Sequence, residues 1–101
     1  MKYGLEDKVI KKIQSVFAAF PQVQKVILYG SRAKGNYKPG SDIDLSLKGE
    51  NLNLSTMNRV SLMLDDLLLP YMFDLSVLSH IKDTGLLEHI DRVGIEFYNR
   101  N

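Results

Sequence analysis

The sequence predicts a mixed α/β (α+β) fold in which helices pack on one small mixed sheet. Apolar residues recur at three-to-four spacing in three segments, a pattern typical of amphipathic helices. Four short segments are rich in β-branched residues or alternate apolar and polar residues, which indicates strands. These patterns follow one another along the chain of 101 residues. We therefore expect a single domain, residues 1–101, built around one core.

The first part of the chain is predicted to form a helix, a strand and a long turn. The helix runs from Leu5 to Phe20, because Pro21 cannot continue it. The strand covers residues 23–29 and ends at Gly30. Residues 30–41 contain three glycines and one proline, so this stretch is predicted to be rich in turns, with one helical turn after Ser31.

The remaining elements complete the order α-β-turn-β-α-β-α-β. In the second strand, Asp42 and Asp44 share one face with Ser46, because successive side chains of a strand point to opposite sides. Asp74 lies on the polar face of the third strand. The predicted bounds are 42–48 for the second strand, about 54–68 for the second helix, 72–78 for the third strand, a third helix that includes 86–93, and a last strand from 95.

Composition excludes several classes of site. The chain has 13 Lys and Arg against 12 Asp and Glu, a net charge of +1, so nothing indicates a surface that follows a nucleic-acid backbone. There is no cysteine, which excludes a disulfide scaffold, a zinc–thiolate site, an iron–sulfur cluster and a cysteine nucleophile. The N-terminal residues lack the pattern of a signal peptide, and no apolar run is long enough to span a membrane. We expect a cytoplasmic protein.

The chemistry-bearing part of the sequence is the Gly30-Ser31 turn with the acids that follow it. Gly30 ends a strand and leaves room for a ligand to approach the backbone, while the next peptides and the Ser31 hydroxyl offer donors to phosphate oxygens. Asp42 and Asp44 then face the same side of the next strand. Two close carboxylates repel each other unless a cation lies between them. The pattern therefore indicates a site for phosphate and metal.

The expected metal is Mg²⁺, which is bound through one or two carboxylates together with substrate phosphates. With Asp74 as a third ligand, two ions about 3.5–4 Å apart could be held, as in sites that transfer nucleotides. One ion would activate an attacking hydroxyl, and the other would hold the triphosphate of the substrate.

These residues resemble the nucleotidyltransferase superfamily that includes DNA polymerase β, and more narrowly its minimal members (MNT), the antitoxin-type partners of HEPN-domain proteins. The family pattern is Gly-Ser, ten residues and Asp-x-Asp, which Gly30-Ser31 and Asp42-Ile43-Asp44 match without a gap. A third acid in an apolar strand and a closing helix and strand extend the resemblance over nearly the whole chain. It implies a polymerase-β-like palm fold.

The resemblance also implies roles for individual residues. Asp42, Asp44 and Asp74 would be catalytic and bind Mg²⁺, whereas Gly30 and Ser31 would bind the phosphates of ATP. Arg32 directly follows them and would contact phosphate or a partner. The list of expected site residues is Gly30, Ser31, Arg32, Asp42, Asp44 and Asp74.

The implied activity is transfer of AMP from ATP to a hydroxyl of a partner protein, with release of pyrophosphate. We expect no acceptor-binding domain after residue 101, so the acceptor would be either a docked macromolecule or absent. The resemblance points to a helical HEPN-type protein as the partner. Two alternatives stay open: an idle binding module that neutralises a toxin by complex formation alone, and an enzyme that modifies nucleic acid. His80 is expected to begin the third helix and His89 to lie near its end, where a cation suits the helix dipole; neither is expected to be catalytic.

Overall fold

The structure is a computed structural model that describes residues 1–101, and its centre is one four-stranded mixed sheet. Four helices and one short 3₁₀ turn accompany the strands. In chain order the elements are α1 (Asp7–Ala18), β1 (Val23–Tyr29), α2 (Gly30–Lys34), β2 (Ile43–Gly49), α3 (Leu54–Asp65), β3 (Phe73–Val77), the 3₁₀ turn (Leu78–His80), α4 (Thr84–Val93) and β4 (Ile95–Asn99).

The sheet has the strand order β3-β2-β1-β4. The central strand β1 pairs antiparallel with both β2 and β4, whereas β2 and β3 are parallel. A parallel pair needs a crossover connection, and α3 lies between these two strands in the chain. The predicted fold class and element order are confirmed.

The core lies on the face of the sheet that α1 and α3 cover. The apolar residues of β2 alternate with its polar ones, so Ile43, Leu45 and Leu47 all point into this core and are fully buried. Residues of α1 and α3 at helical spacing complete the cluster. The opposite face carries the polar residues of β2 and β3, and α4 lies beside them, close to α2 and β1. This polar face is where the candidate site forms.

Several predicted bounds differ from the structure. The first helix starts at Asp7, two residues later than predicted, because Leu5 instead pairs with Lys2 in an isolated bridge. The second helix ends at Asp65, before Leu68, which has a left-handed backbone (φ 56°) and is 89% exposed. None of the helices combines the length and the apolar character needed to cross a membrane.

The prediction that His80 begins a helix is wrong. His80 ends the short 3₁₀ turn, and α4 begins only at Thr84. The reason is the local cap: the Asp83 side chain accepts a hydrogen bond from the backbone N–H of Leu86 at 3.1 Å, which satisfies a free donor of the first helical turn. The predicted helical turn near Ser31 is present as α2, which ends at Gly35 with a left-handed φ of 87°.

Candidate active site

Two of the three predicted acids lie side by side on neighbouring strands. Asp44 of β2 and Asp74 of β3 are direct partners in the parallel register, so their side chains stand on the same face of the sheet. Asp42 lies just before the first residue of β2 and is exposed to solvent. The structure therefore brings a pair of carboxylates together and puts a third at the entrance of β2.

Burial and the neighbouring acids disfavour ionisation of the Asp44 carboxyl group. The pKa of its carboxyl is raised from 3.8 to about 6. Burial is the largest cause, and the negative charges of Asp74 and then Asp42 add to it, whereas the guanidinium of Arg32 acts in the opposite direction. A cation close to this carboxylate would stabilise its ionised form.

The acids fit an open magnesium site better than a closed protein cage. No three carboxylate or imidazole groups of the structure converge closely enough to hold a metal ion by themselves. Mg²⁺ usually takes only one or two carboxylates from the protein and completes its shell with water and substrate phosphates. The pair formed by Asp44 and Asp74, with the raised pKa of Asp44, matches that requirement.

The Gly30-Ser31 turn sits at the same end of the sheet as the acids. Tyr29, the last residue of β1, is the register partner of Asp44, so the chain turns at Gly30 directly beside that carboxylate. Gly30 has a φ of 74°, and a Cβ at this position would collide with the Asp44 carboxyl group. Only glycine satisfies both conditions without strain. Ser31 follows as a half-buried residue of α2.

A row of hydroxyl groups lies beneath the acid pair. Ser46 and Ser76 are also register partners, each two residues after the aspartate of its own strand and so on the same face of the sheet. The Ser76 hydroxyl donates a hydrogen bond to Ser46 Oγ at 3.0 Å. The pKa of the Tyr29 hydroxyl is raised above its usual value, chiefly by burial. A side-chain hydrogen bond with Ser76 acts in the opposite direction, whereas the charges of Asp74 and Asp44 raise the pKa further. Tyr29 is only 7% exposed. These groups form a polar floor under the two carboxylates.

Arg32 occupies a different place from the one expected for a phosphate ligand. Its side chain is 2% exposed, and its guanidinium donates to backbone carbonyls: to Ser41 from Nε at 3.1 Å and from Nη2 at 2.8 Å, and to Tyr3 from Nη1 at 2.9 Å. The guanidinium also lies over the rings of Tyr37 and Tyr71, 5.5 and 5.0 Å from the ring centroids. Arg32 thus holds the segment that leads into the acid strand, through hydrogen bonds from all three of its guanidinium nitrogens.

His89 is part of the site region although sequence reasoning assigned it only to a helix end. The backbone N–H of Gly30 donates to His89 Nε2 at 3.1 Å. The two residues are 59 positions apart, so no local pattern in one sequence could indicate the contact. Tyr29 was likewise predicted only as a strand residue, and its place beside the acids follows from the register of β1 with β2.

Comparisons with known proteins agree with this architecture. A model of the family described as polymerase beta, nucleotidyltransferase, matches residues 11–101. None of the curated proteins matches the chain.

Three solved structures show the same fold. A crystal structure of a toxin–antitoxin with AMP-PNP has 22% identity and a TM-score of 0.71, over 96% of this chain and 76% of that one. A complex of tri-AMPylated Shewanella oneidensis HEPN toxin with MNT antitoxin has 20% identity and a TM-score of 0.70, over 94% and 73%. A putative nucleotidyltransferase from Sulfolobus solfataricus has 25% identity and a TM-score of 0.56, over 92% and 79%. The family match over residues 11–101, on a fold shared with these structures, means that the chain belongs to the polymerase beta nucleotidyltransferase family.

Proposed function

We propose that the chain is a Mg²⁺-dependent nucleotidyltransferase that moves AMP from ATP to a hydroxyl group of a partner protein. The observation that carries the proposal is the position of the Gly30-Ser31 turn directly beside the Asp44 and Asp74 pair. A donor-rich turn next to paired carboxylates suits a metal-bound polyphosphate, whose charge neither element could accommodate alone.

Each group has a distinct task in this proposal. Ser31 and the peptides after it donate hydrogen bonds to the β- and γ-phosphates, and Gly30 lets them approach the backbone. Asp44 and Asp74, with Asp42 nearby at the entrance of β2, would hold Mg²⁺ together with the substrate phosphates. When bound, the ion offsets phosphate charge and favours ionisation of the attacking hydroxyl.

The transfer is a single displacement at the α-phosphorus of ATP. The acceptor oxygen forms a bond to the α-phosphorus, and the bond between this phosphorus and the oxygen that bridges to the β-phosphate breaks. Pyrophosphate leaves, and the proton of the acceptor hydroxyl passes to one of the clustered carboxylates. Reactions of this type depend on positioning and charge stabilisation, which a rigid strand pair supplies.

A helical HEPN-type protein is the proposed partner and acceptor. Support comes from the similar structures, one of which holds a tri-AMPylated HEPN toxin with an MNT antitoxin. This chain also exposes large apolar side chains outside the site: Leu54 is 77%, Leu62 63%, Leu68 89% and Met72 75% exposed. Leu54 and Leu62 lie on α3 and Leu68 follows it, so this segment offers apolar surface that a partner would cover.

Intact-mass spectrometry of this chain co-expressed with a HEPN-type partner tests the proposal against complex formation alone. We expect the partner to gain the mass of one or more AMP groups. Asp74→Ala should abolish the gain, whereas Asp91→Ala, which removes an exposed acid on α4, should preserve it. A partner that binds tightly but never gains mass would overturn the transferase proposal and leave a binding module.

A further inference from the structure

One side chain of α4, that of His89, contacts the Gly30-Ser31 turn. His89 lies in the middle of α4, and its Nε2 accepts the backbone N–H of Gly30 at 3.1 Å. An accepting Nε2 requires a neutral imidazole whose proton sits on Nδ1. The Gly30 N–H is therefore turned towards α4, and the donors left for a ligand begin with Ser31.

The same turn is enclosed from a second direction. The Asp44 carboxyl group packs so closely against Gly30 that a Cβ there would collide with it. The Tyr29 ring, which precedes the turn, meets the His89 ring edge-on, with centroids 6.1 Å apart and an interplanar angle of 80°. Gly30 is thus held between an acid of the sheet and an imidazole of α4.

This restraint matters because glycine has no Cβ and adopts more backbone conformations than any other residue type. Gly30 has a φ of 74°, and without a Cβ it can adopt other backbone conformations of similar energy. A hydrogen bond from a fixed outside acceptor selects one of these conformations. Ser31 comes next, so the backbone conformation of Gly30 determines the direction of the Ser31 hydroxyl and N–H.

We propose that His89 is a positioning residue, which acts through the Gly30 N–H to hold the Gly30-Ser31 turn in the conformation that receives the phosphates of the nucleotide. The inference rests on the proposed function for the identity of the ligand. It gives His89 no contact with the nucleotide and no proton transfer.

The proposal predicts a specific kinetic pattern. A net hydrogen bond of about 0.5–1.5 kcal/mol corresponds to about a two- to tenfold change in affinity. The turn contacts the same phosphates before and during transfer, so its loosening weakens ground-state and transition-state binding alike. His89→Ala should therefore raise the KM and the dissociation constant for Mg-ATP about two- to tenfold, with a smaller change in kcat.

Three variants separate this role from a general packing role. His89→Gln keeps a side-chain acceptor of similar reach and should recover most of the affinity for Mg-ATP that His89→Ala loses. His80→Ala removes an exposed imidazole at the 3₁₀ turn and should bind like the wild type. The free energy of unfolding in urea, measured for all three, shows whether a lost affinity merely follows a lost fold.

Calorimetric titration with Mg-ATP and NMR of the ¹⁵N-labelled full chain give independent readouts. We expect a scalar coupling across the hydrogen bond between the Gly30 amide nitrogen and His89 Nε2. Its absence, or wild-type Mg-ATP affinity in folded His89→Ala, would overturn the inference while the proposed function stands. A wild-type chain that shows the coupling but binds no Mg-ATP would instead refute the proposed function, and with it the role of His89 in nucleotide binding.

Discussion

Substitution of Asp44 by asparagine should make the metal-free protein more stable, although it should also abolish nucleotide transfer. Asp44 is ionised at neutral pH despite a pKa of about 6 in the folded chain, against an ordinary value of 3.8. The folded state therefore binds the proton more tightly than the unfolded state. The contribution of Asp44 to stability therefore falls as the pH rises from about 3.8 to about 6, and it is fully lost above that window.

The magnitude follows from the size of this shift. A displacement from 3.8 to about 6 corresponds to at most about 3 kcal/mol. Asp44 is only partly buried, so screening by solvent reduces the effect to about 1–2 kcal/mol. In a domain of about 100 residues, 1 kcal/mol shifts the Tm by about 4–8 °C. Asp44→Asn should thus raise the Tm by at least about 4 °C at pH 8.

Thermal unfolding in EDTA at pH 3.5, 5 and 8 measures this effect. The Tm difference between Asp44→Asn and the wild type should be close to zero at pH 3.5 and largest at pH 8. Asp91→Asn removes the same charge from an exposed position of α4 and serves as the matched control. A difference that stays constant over this pH range, or a loss of stability at pH 8, would refute the electrostatic reasoning.

Further predictions concern the turn and the segment that leads to the acids. Gly30→Ala should lower stability by more than about 1 kcal/mol in urea unfolding, because a side chain at this positive φ is strained and meets the Asp44 carboxyl group; unchanged stability would contradict the close packing. Arg32→Lys should cost about 2–3 kcal/mol, since one ammonium group cannot replace a fork that serves the carbonyls of Ser41 and Tyr3. A fully stable Arg32→Lys protein that has lost Mg-ATP affinity would instead favour direct phosphate contact.

The fold was predictable from the sequence because strand and helix periods are local. The alternation in residues 42–48 predicts which side chains of β2 enter the core, and Ile43, Leu45 and Leu47 are indeed buried. The bounds were less predictable where a turn competes with the helix. Leu68 fits the apolar period of α3, yet its left-handed backbone places it outside the helix.

The candidate site was predictable to the extent that it follows strand geometry. Two acids one residue apart must point the same way, and a third acid on a parallel neighbour can meet them. The pairing of Asp44 with Asp74 has this origin. The contacts of Arg32 and His89 do not follow from strand geometry. They depend on how the loop that contains Ser41 and the helix α4 pack against α2. Residue type at a motif position does not tell whether a guanidinium points to ligand or to backbone carbonyls.

The central claim is that this site transfers the α-phosphoryl group of ATP with its nucleoside. The most direct measurement incubates the chain and a HEPN-type partner with Mg²⁺ and ATP labelled either at the α- or at the γ-phosphate. The account predicts that α-label appears on the partner, that γ-label appears only in released pyrophosphate, and that EDTA or Asp44→Asn abolishes both signals. Transfer of γ-label to the partner, or transfer of α-label that persists in EDTA, would contradict it.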